Sequence, residues 1–125
     1  GIQAEVIDVR TIAPLDFETI RRSVDRTGRL VVMDTSHIEF GVTAEILART
    51  VECGVVHKSP PVRIGLPQAP TPTTPALADE YYPRAIDVVR AVTRQLGLGS
   101  DPDWVTDPDS DLHRDQPNRN FTGPY

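Results

Sequence analysis

The stretch Leu66-Pro67-Gln68-Ala69-Pro70-Thr71-Pro72-Thr73-Thr74-Pro75 constrains this chain more than any other. Each proline removes a backbone donor and drives the residue before it out of helical geometry, so neither a sheet interior nor a helix interior can hold the run. It has to be a crossing loop, and the regular elements must lie on either side of it. Thr74 followed by Pro75 opens a short helical turn reaching Tyr82, because proline suits the first position of a helix. Pro83 separates that turn from a last helix bearing Ile86, Val89, Val92 and Leu96, which Gly97 and Gly99 stop.

Upstream of the loop, apolar periodicity alternates between strand and helix. Ala4 to Val9 is rich in Val and Ile and alternates imperfectly, the pattern of a strand covered on both faces. Asp16 is placed to cap a helix whose Phe17, Ile20 and Val24 share one face; Leu15 and Ile20 can clasp across the cap, and Gly28 is the stop. Leu30-Val31-Val32-Met33 reads as a central parallel strand, with Asp34 to Phe40 as the loop beyond it. A second helix from about Gly41 carries Ile46, Leu47, Thr50 and Val51 on one side and ends near Gly54, and Val62 to Leu66 reads as a third strand.

This alternation predicts an α/β fold, a three-layer α/β/α arrangement with a mostly parallel sheet and right-handed crossovers. A chain of 125 residues has room for one such domain, placed at residues 1–98. Residues 99–125, where Asp, Pro, Asn and Gly dominate, read as an acidic tail, disordered alone or laid over another surface.

Charge narrows the partners. The net charge of −5 argues against nucleic acid and against acidic membranes, since a phosphate-backbone binder gathers Lys and Arg on one face. Asp101, Asp103, Asp107, Asp109, Asp111 and Asp115 crowd the tail against Arg114 and Arg119, so a tail partner is expected to be basic. No apolar run approaches the roughly 20 residues that span a bilayer, and no secretory leader is read at Gly1. A cytoplasmic home is the expectation. Cys53 is alone and sits in an apolar-periodic segment, which predicts a buried, inert thiol.

Few residues carry chemistry. His37, His57 and His113 share no ligand spacing with one another or with a carboxylate pair, so no metal site is expected. His37 lies where α/β proteins tend to bind ligands, yet without a nucleophile beside it reads as a surface histidine. Gly41 opens a helix after a strand and could expose N–H groups to an anion, but the Gly-x-Gly-x-x-Gly turn of dinucleotide folds is missing. Packing against a neighbouring subunit is the reading for the small residues Gly41 and Ala44. Glu45 in the first turn suits the helix dipole, and Glu52 lies about two turns on, so Glu45 is taken as structural or interfacial. Tyr81, Tyr82 and Trp104 offer amphipathic area; for Tyr82, packing of the last helix and an interface role both stay open.

Three segments resemble the C-terminal domain of 2-oxo acid dehydrogenase beta subunits, which transketolase carries in related form. The first is Ala4-Glu5-Val6-Ile7-Asp8-Val9-Arg10-Thr11-Ile12-Ala13-Pro14-Leu15-Asp16. The second runs from Gly28-Arg29-Leu30-Val31-Val32 through Asp34 to Gly41-Val42-Thr43-Ala44-Glu45-Ile46, and the third joins Pro61-Val62-Arg63, Leu66-Pro67, Pro70-Thr71-Pro72, Ala76-Leu77 and Tyr82-Pro83. Thr43 departs from the family, which usually has glycine there. The family's domain also begins with a further strand and helix, so the resemblance implies a domain met after them, processed or cut at Gly1, with an open apolar edge beside its first strand that invites another chain.

The resemblance implies a non-catalytic domain in an assembly of pyruvate, branched-chain or acetoin type. Thiamine diphosphate and magnesium belong to that assembly, held between the alpha subunit and the beta subunit's preceding pyrimidine-binding part, so no catalytic, cofactor or metal residue maps onto this chain. The implied partners are those two units and the binding domain of an acyltransferase core, in an oligomer, with Gly41, Ala44, Glu45 and Tyr82 as interface residues. A lone chain would be inert. Two other readings stand beside this one: a free-standing interaction module without activity, and a part of a split transketolase-like carboligase.

Overall fold

The computed structural model describes residues 1–99, 105–107 and 110–112, in the order α1 (Phe17–Thr27), β1 (Val31–His37), α2 (Val42–Glu52), β2 (Val62–Leu66), α3 (Pro75–Tyr81) and α4 (Ala85–Gln95). Among these residues the sheet has two strands, paired in parallel with Val31 opposite Val62, Val32 opposite Arg63 and Met33 opposite Ile64. The fold is α/β with a parallel sheet, and α2 is the crossover that parallel pairing requires.

Local signals set the ends of α1. The Asp16 carboxylate accepts from the Thr19 N–H at 3.2 Å and from its hydroxyl at 2.7 Å, satisfying one of the donors that a helix start leaves free. At the other end Gly28 takes a left-handed conformation, φ 69°, and its N–H reaches the Val24 carbonyl at 2.7 Å. The buried face is Phe17, Ile20 and Val24, as the spacing predicts.

That face packs with Ile46 and Val55 into one cluster, against which Ile7, Leu15, Leu30, Val32 and Val42 lie half-buried. Leu15, expected to clasp Ile20, lies against the cluster that contains Ile20. The Arg49 guanidinium covers the Phe17 ring at 4.3 Å from its centroid. On α2 the buried residues are Thr43, Ile46 and Thr50, while Leu47 is half-buried and Val51 is exposed, so the helix is turned away from its expected apolar side. A threonine can be buried there because the Thr50 hydroxyl donates back to the Leu47 carbonyl at 2.8 Å.

Helix α4 meets both strands without joining that cluster, as a helix on the other face of the sheet does. The Gln95 amide ties it down, donating to the Leu30 carbonyl at 3.1 Å and the Pro60 carbonyl at 2.8 Å. Helix α3 fixes the proline loop: Tyr81 is buried, and its hydroxyl donates to the Ala69 carbonyl at 3.1 Å.

Four expectations need correction. Ala4 to Val9 is not a strand; no backbone hydrogen bond ties it to β1 or β2, Val6 is 90% exposed, and only Ile7 reaches the core. Side chains hold the segment instead, with Glu5 accepting from Ser23 and Arg26 of α1. Strand β1 runs on to His37, into the stretch read as loop, after a register irregularity between Met33 and His37. Cys53 is exposed, because it caps the C-terminus of α2 and its N–H bonds back into that helix. Val51 is likewise outside the core. Trp104, His113 and most of the tail's aspartates lie outside the described residues.

Candidate interaction surface

The C-terminal ends of β1 and β2 are cross-braced. The Ile38 N–H donates to the Leu66 carbonyl at 2.8 Å, and Arg63 Nη1 returns a bond to the Ile38 carbonyl at 2.8 Å. His37 Nδ1 lies 2.8 Å from the Pro67 carbonyl; a carbonyl only accepts, so the ring proton sits on Nδ1. Gly65 lies so close to this turn that a Cβ there would be 3.0 Å from the Ser36 carbonyl oxygen.

Within this brace stands Phe40, at φ 60° and 97% exposed. A non-glycine residue in the left-handed region costs about 1–3 kcal/mol, and for an aromatic residue the conformation is an outlier that surrounding structure must impose. Gly41 follows as the N-cap of α2, and a Cβ on it would fall 2.2 Å from the His37 carbonyl oxygen and 2.6 Å from Ser36 Oγ. Only glycine fits, for a reason inside the chain itself.

Three of the four expected interface residues are thus brought together in the first turn of α2. Gly41 accepts at 3.0 Å from the Ala44 N–H, Ala44 is half-buried, and Glu45 is exposed. Tyr82 belongs elsewhere: it caps α3, half-buried, its ring edge-to-face with Tyr81 at 5.0 Å between centroids. Phe40 and Arg63 were missed by the sequence reading. The available signal was an aromatic residue immediately before the glycine of a helix start, which propensity alone assigns no role.

Among the described residues the remaining titratable groups form no candidate site. Glu45 and Glu52 are both exposed, and His57 Nε2 lies 3.2 Å from the Thr50 hydroxyl as part of helix packing. Among the described residues no group of three His, Cys, Asp or Glu is arranged to hold a metal ion. An apolar groove of about 750 Å³ is lined by Gly1, Ile2, Ala4, Val88, Val89, Val92 and Leu98. A diphosphate with its magnesium needs charged donors and oxygen ligands, so this apolar lining does not fit thiamine diphosphate.

Comparison with known proteins identifies the family. Residues 1–88 match the family model for transketolase, C-terminal domain. The human mitochondrial pyruvate dehydrogenase E1 component subunit beta is 37% identical over 100 residues, which is 78% of this chain and 28% of that protein. The acetoin:2,6-dichlorophenolindophenol oxidoreductase subunit beta of Cupriavidus necator is 34% identical over 100 residues, covering 79% and 30%. Its Bacillus subtilis counterpart is 34% identical over 98 residues, covering 78% and 29%. The chain spans less than a third of the length of these relatives. Matched by the family model over residues 1–88, and similar to beta subunits of pyruvate dehydrogenase and acetoin oxidoreductase, the chain belongs to the transketolase C-terminal domain family.

Proposed function

We propose that this chain is the non-catalytic C-terminal domain of a thiamine-diphosphate-dependent beta subunit acting on pyruvate, a branched-chain 2-oxo acid or acetoin, and that it organises the assembly rather than performing the chemistry. The observation that carries the reading is the similarity over 100 residues to two kinds of beta subunit named for different activities. A domain common to both is suited to a task that both share, and subunit association is such a task. On this reading residues 1–98 associate with the alpha subunit and with the pyrimidine-binding part of the beta subunit. The acidic residues after Gly99 steer a basic partner such as the binding domain of an acyltransferase core, since complementary charge sets encounter and partner choice. The assembly would work in the cytoplasm.

Light scattering tests it. The chain alone should show no thiamine-dependent turnover; mixed with the alpha subunit and the pyrimidine-binding part, it should form a defined larger species that turns over a 2-oxo acid or acetoin. A chain that remains alone in an inactive mixture would sink the reading.

A further inference from the structure

We propose that the loop carrying Phe40 is the anchor of that association, inserting the Phe40 ring into an apolar pocket, rimmed by Lys or Arg, on a partner subunit. This rests on the function proposed above and names the surface that performs it.

Three observations converge on the loop. Phe40 is 97% exposed, so no packing among the described residues accounts for placing an aromatic ring there. Its backbone is held in the left-handed region, φ 60°, which an aromatic side chain disfavours. The loop is nevertheless rigidly tied: Arg63 and Leu66 bond both polar groups of Ile38, His37 bonds Pro67, and Gly41 leaves no room beside the His37 carbonyl. A strained, fully presented and braced aromatic is pre-organised for a partner, because its conformational cost is met before binding. Aromatic anchors of this kind dominate interface energetics.

Charge selects the occupant. Glu39 and Glu45, both exposed, lie one residue before Phe40 and five after it, and the nearby Arg63 spends Nη1 on the Ile38 carbonyl. A two-fold contact between two copies of this chain would bring like carboxylates together, on a molecule whose net charge is already −5. A separate subunit with a basic rim is the complementary partner.

The full 125-residue chain, titrated with purified alpha subunit by calorimetry, decides the matter. Phe40→Gly and Phe40→Asn both accept the left-handed backbone without the ring, so each should melt no lower than the original chain. Each should also weaken association at least about 30-fold, the loss expected of a hot-spot residue. Equal binding by the original chain and both variants would overturn the anchor while leaving the proposed function standing. No binding by the original chain would overturn the proposed function, and this inference with it. If the chain instead self-associates and the variants are monomers, the pocket lies on a second copy and the assignment of a basic partner subunit is wrong.

Discussion

The two faces of the sheet are finished to different degrees. On the side of α1 and α2, Phe17, Ile20, Val24, Ile46 and Val55 close a core to which two helices, a strand and the N-terminal segment all contribute. On the side of α4, Ala91 and Ile86 are buried, yet Ile2, Val89 and Leu98 stay exposed around an apolar groove. The described residues supply enough apolar partners for one face and leave the other partly uncovered. Stability should accordingly reside in the first face, and the second should tolerate change.

Paired substitutions are the sharpest way to break this contrast. Ile46→Ala, at a side chain 3% exposed, should lose about 2–5 kcal/mol of unfolding free energy, because a cavity forms among neighbours that cannot all collapse into it. Val89→Ser, on the groove, should stay within roughly 0.5 kcal/mol. Denaturant melts of both variants measure the difference. Equal losses would mean that the groove is filled in solution, and the contrast between the faces would fail.

The glycines give a smaller effect with an internal control. Gly41→Ala places a Cβ 2.2 Å from a backbone oxygen, which cannot move without unbracing the loop, so a loss of about 1–3 kcal/mol is expected. Gly28→Ala meets only the flexible stem of Lys58, at 2.7 Å, and the left-handed backbone remains as the main cost, roughly 1–2 kcal/mol. Only the first should also disturb the presentation of Phe40. Thermal melts rank the two, and an alanine at position 41 that costs nothing would show that the turn is looser than these distances indicate.

What could be read in advance was whatever neighbours in sequence decide. The Asp16 cap, the Gly28 stop and both ends of β2 depend on capping chemistry and local periodicity, and all stand as read. Ala4 to Val9 has strand composition, but a strand exists only when a second backbone takes its hydrogen bonds, and none does so here. Val51 and Cys53 were misplaced because the rotation of α2 about its axis is set by the packing of Thr43, Ile46 and Thr50, not by the mean apolarity of the helix. At the candidate surface, Gly41 stood out in the sequence, while its cause, the His37 carbonyl, required the fold. Phe40 was illegible because its conformation runs against its own propensity.

Acid should separate the two faces by the weakest margin. Glu5, Asp16 and Glu18 all bear on α1, and each carboxyl is held below its usual range. For Glu5 the main cause is the hydrogen bond from Ser23, then that from Arg26; for Asp16 it is the Thr19 hydroxyl, then the Thr19 N–H; for Glu18 it is the Arg21 guanidinium. A carboxyl whose folded pKa is depressed favours folding fully above its unfolded pKa and loses that contribution as the pH falls through the folded value. Stability should therefore be flat down to about pH 5 and decline below the ordinary carboxylate range of about 4. All three groups are exposed, so the decline should be shallow and weaken further in salt. Hydrogen exchange should accelerate in α1 before α4 as the pH drops. The triple variant Glu5→Gln, Asp16→Asn, Glu18→Gln should flatten that profile, and an unchanged acid slope would mean that the closed face does not depend on the contacts that pin the N-terminal segment and cap α1.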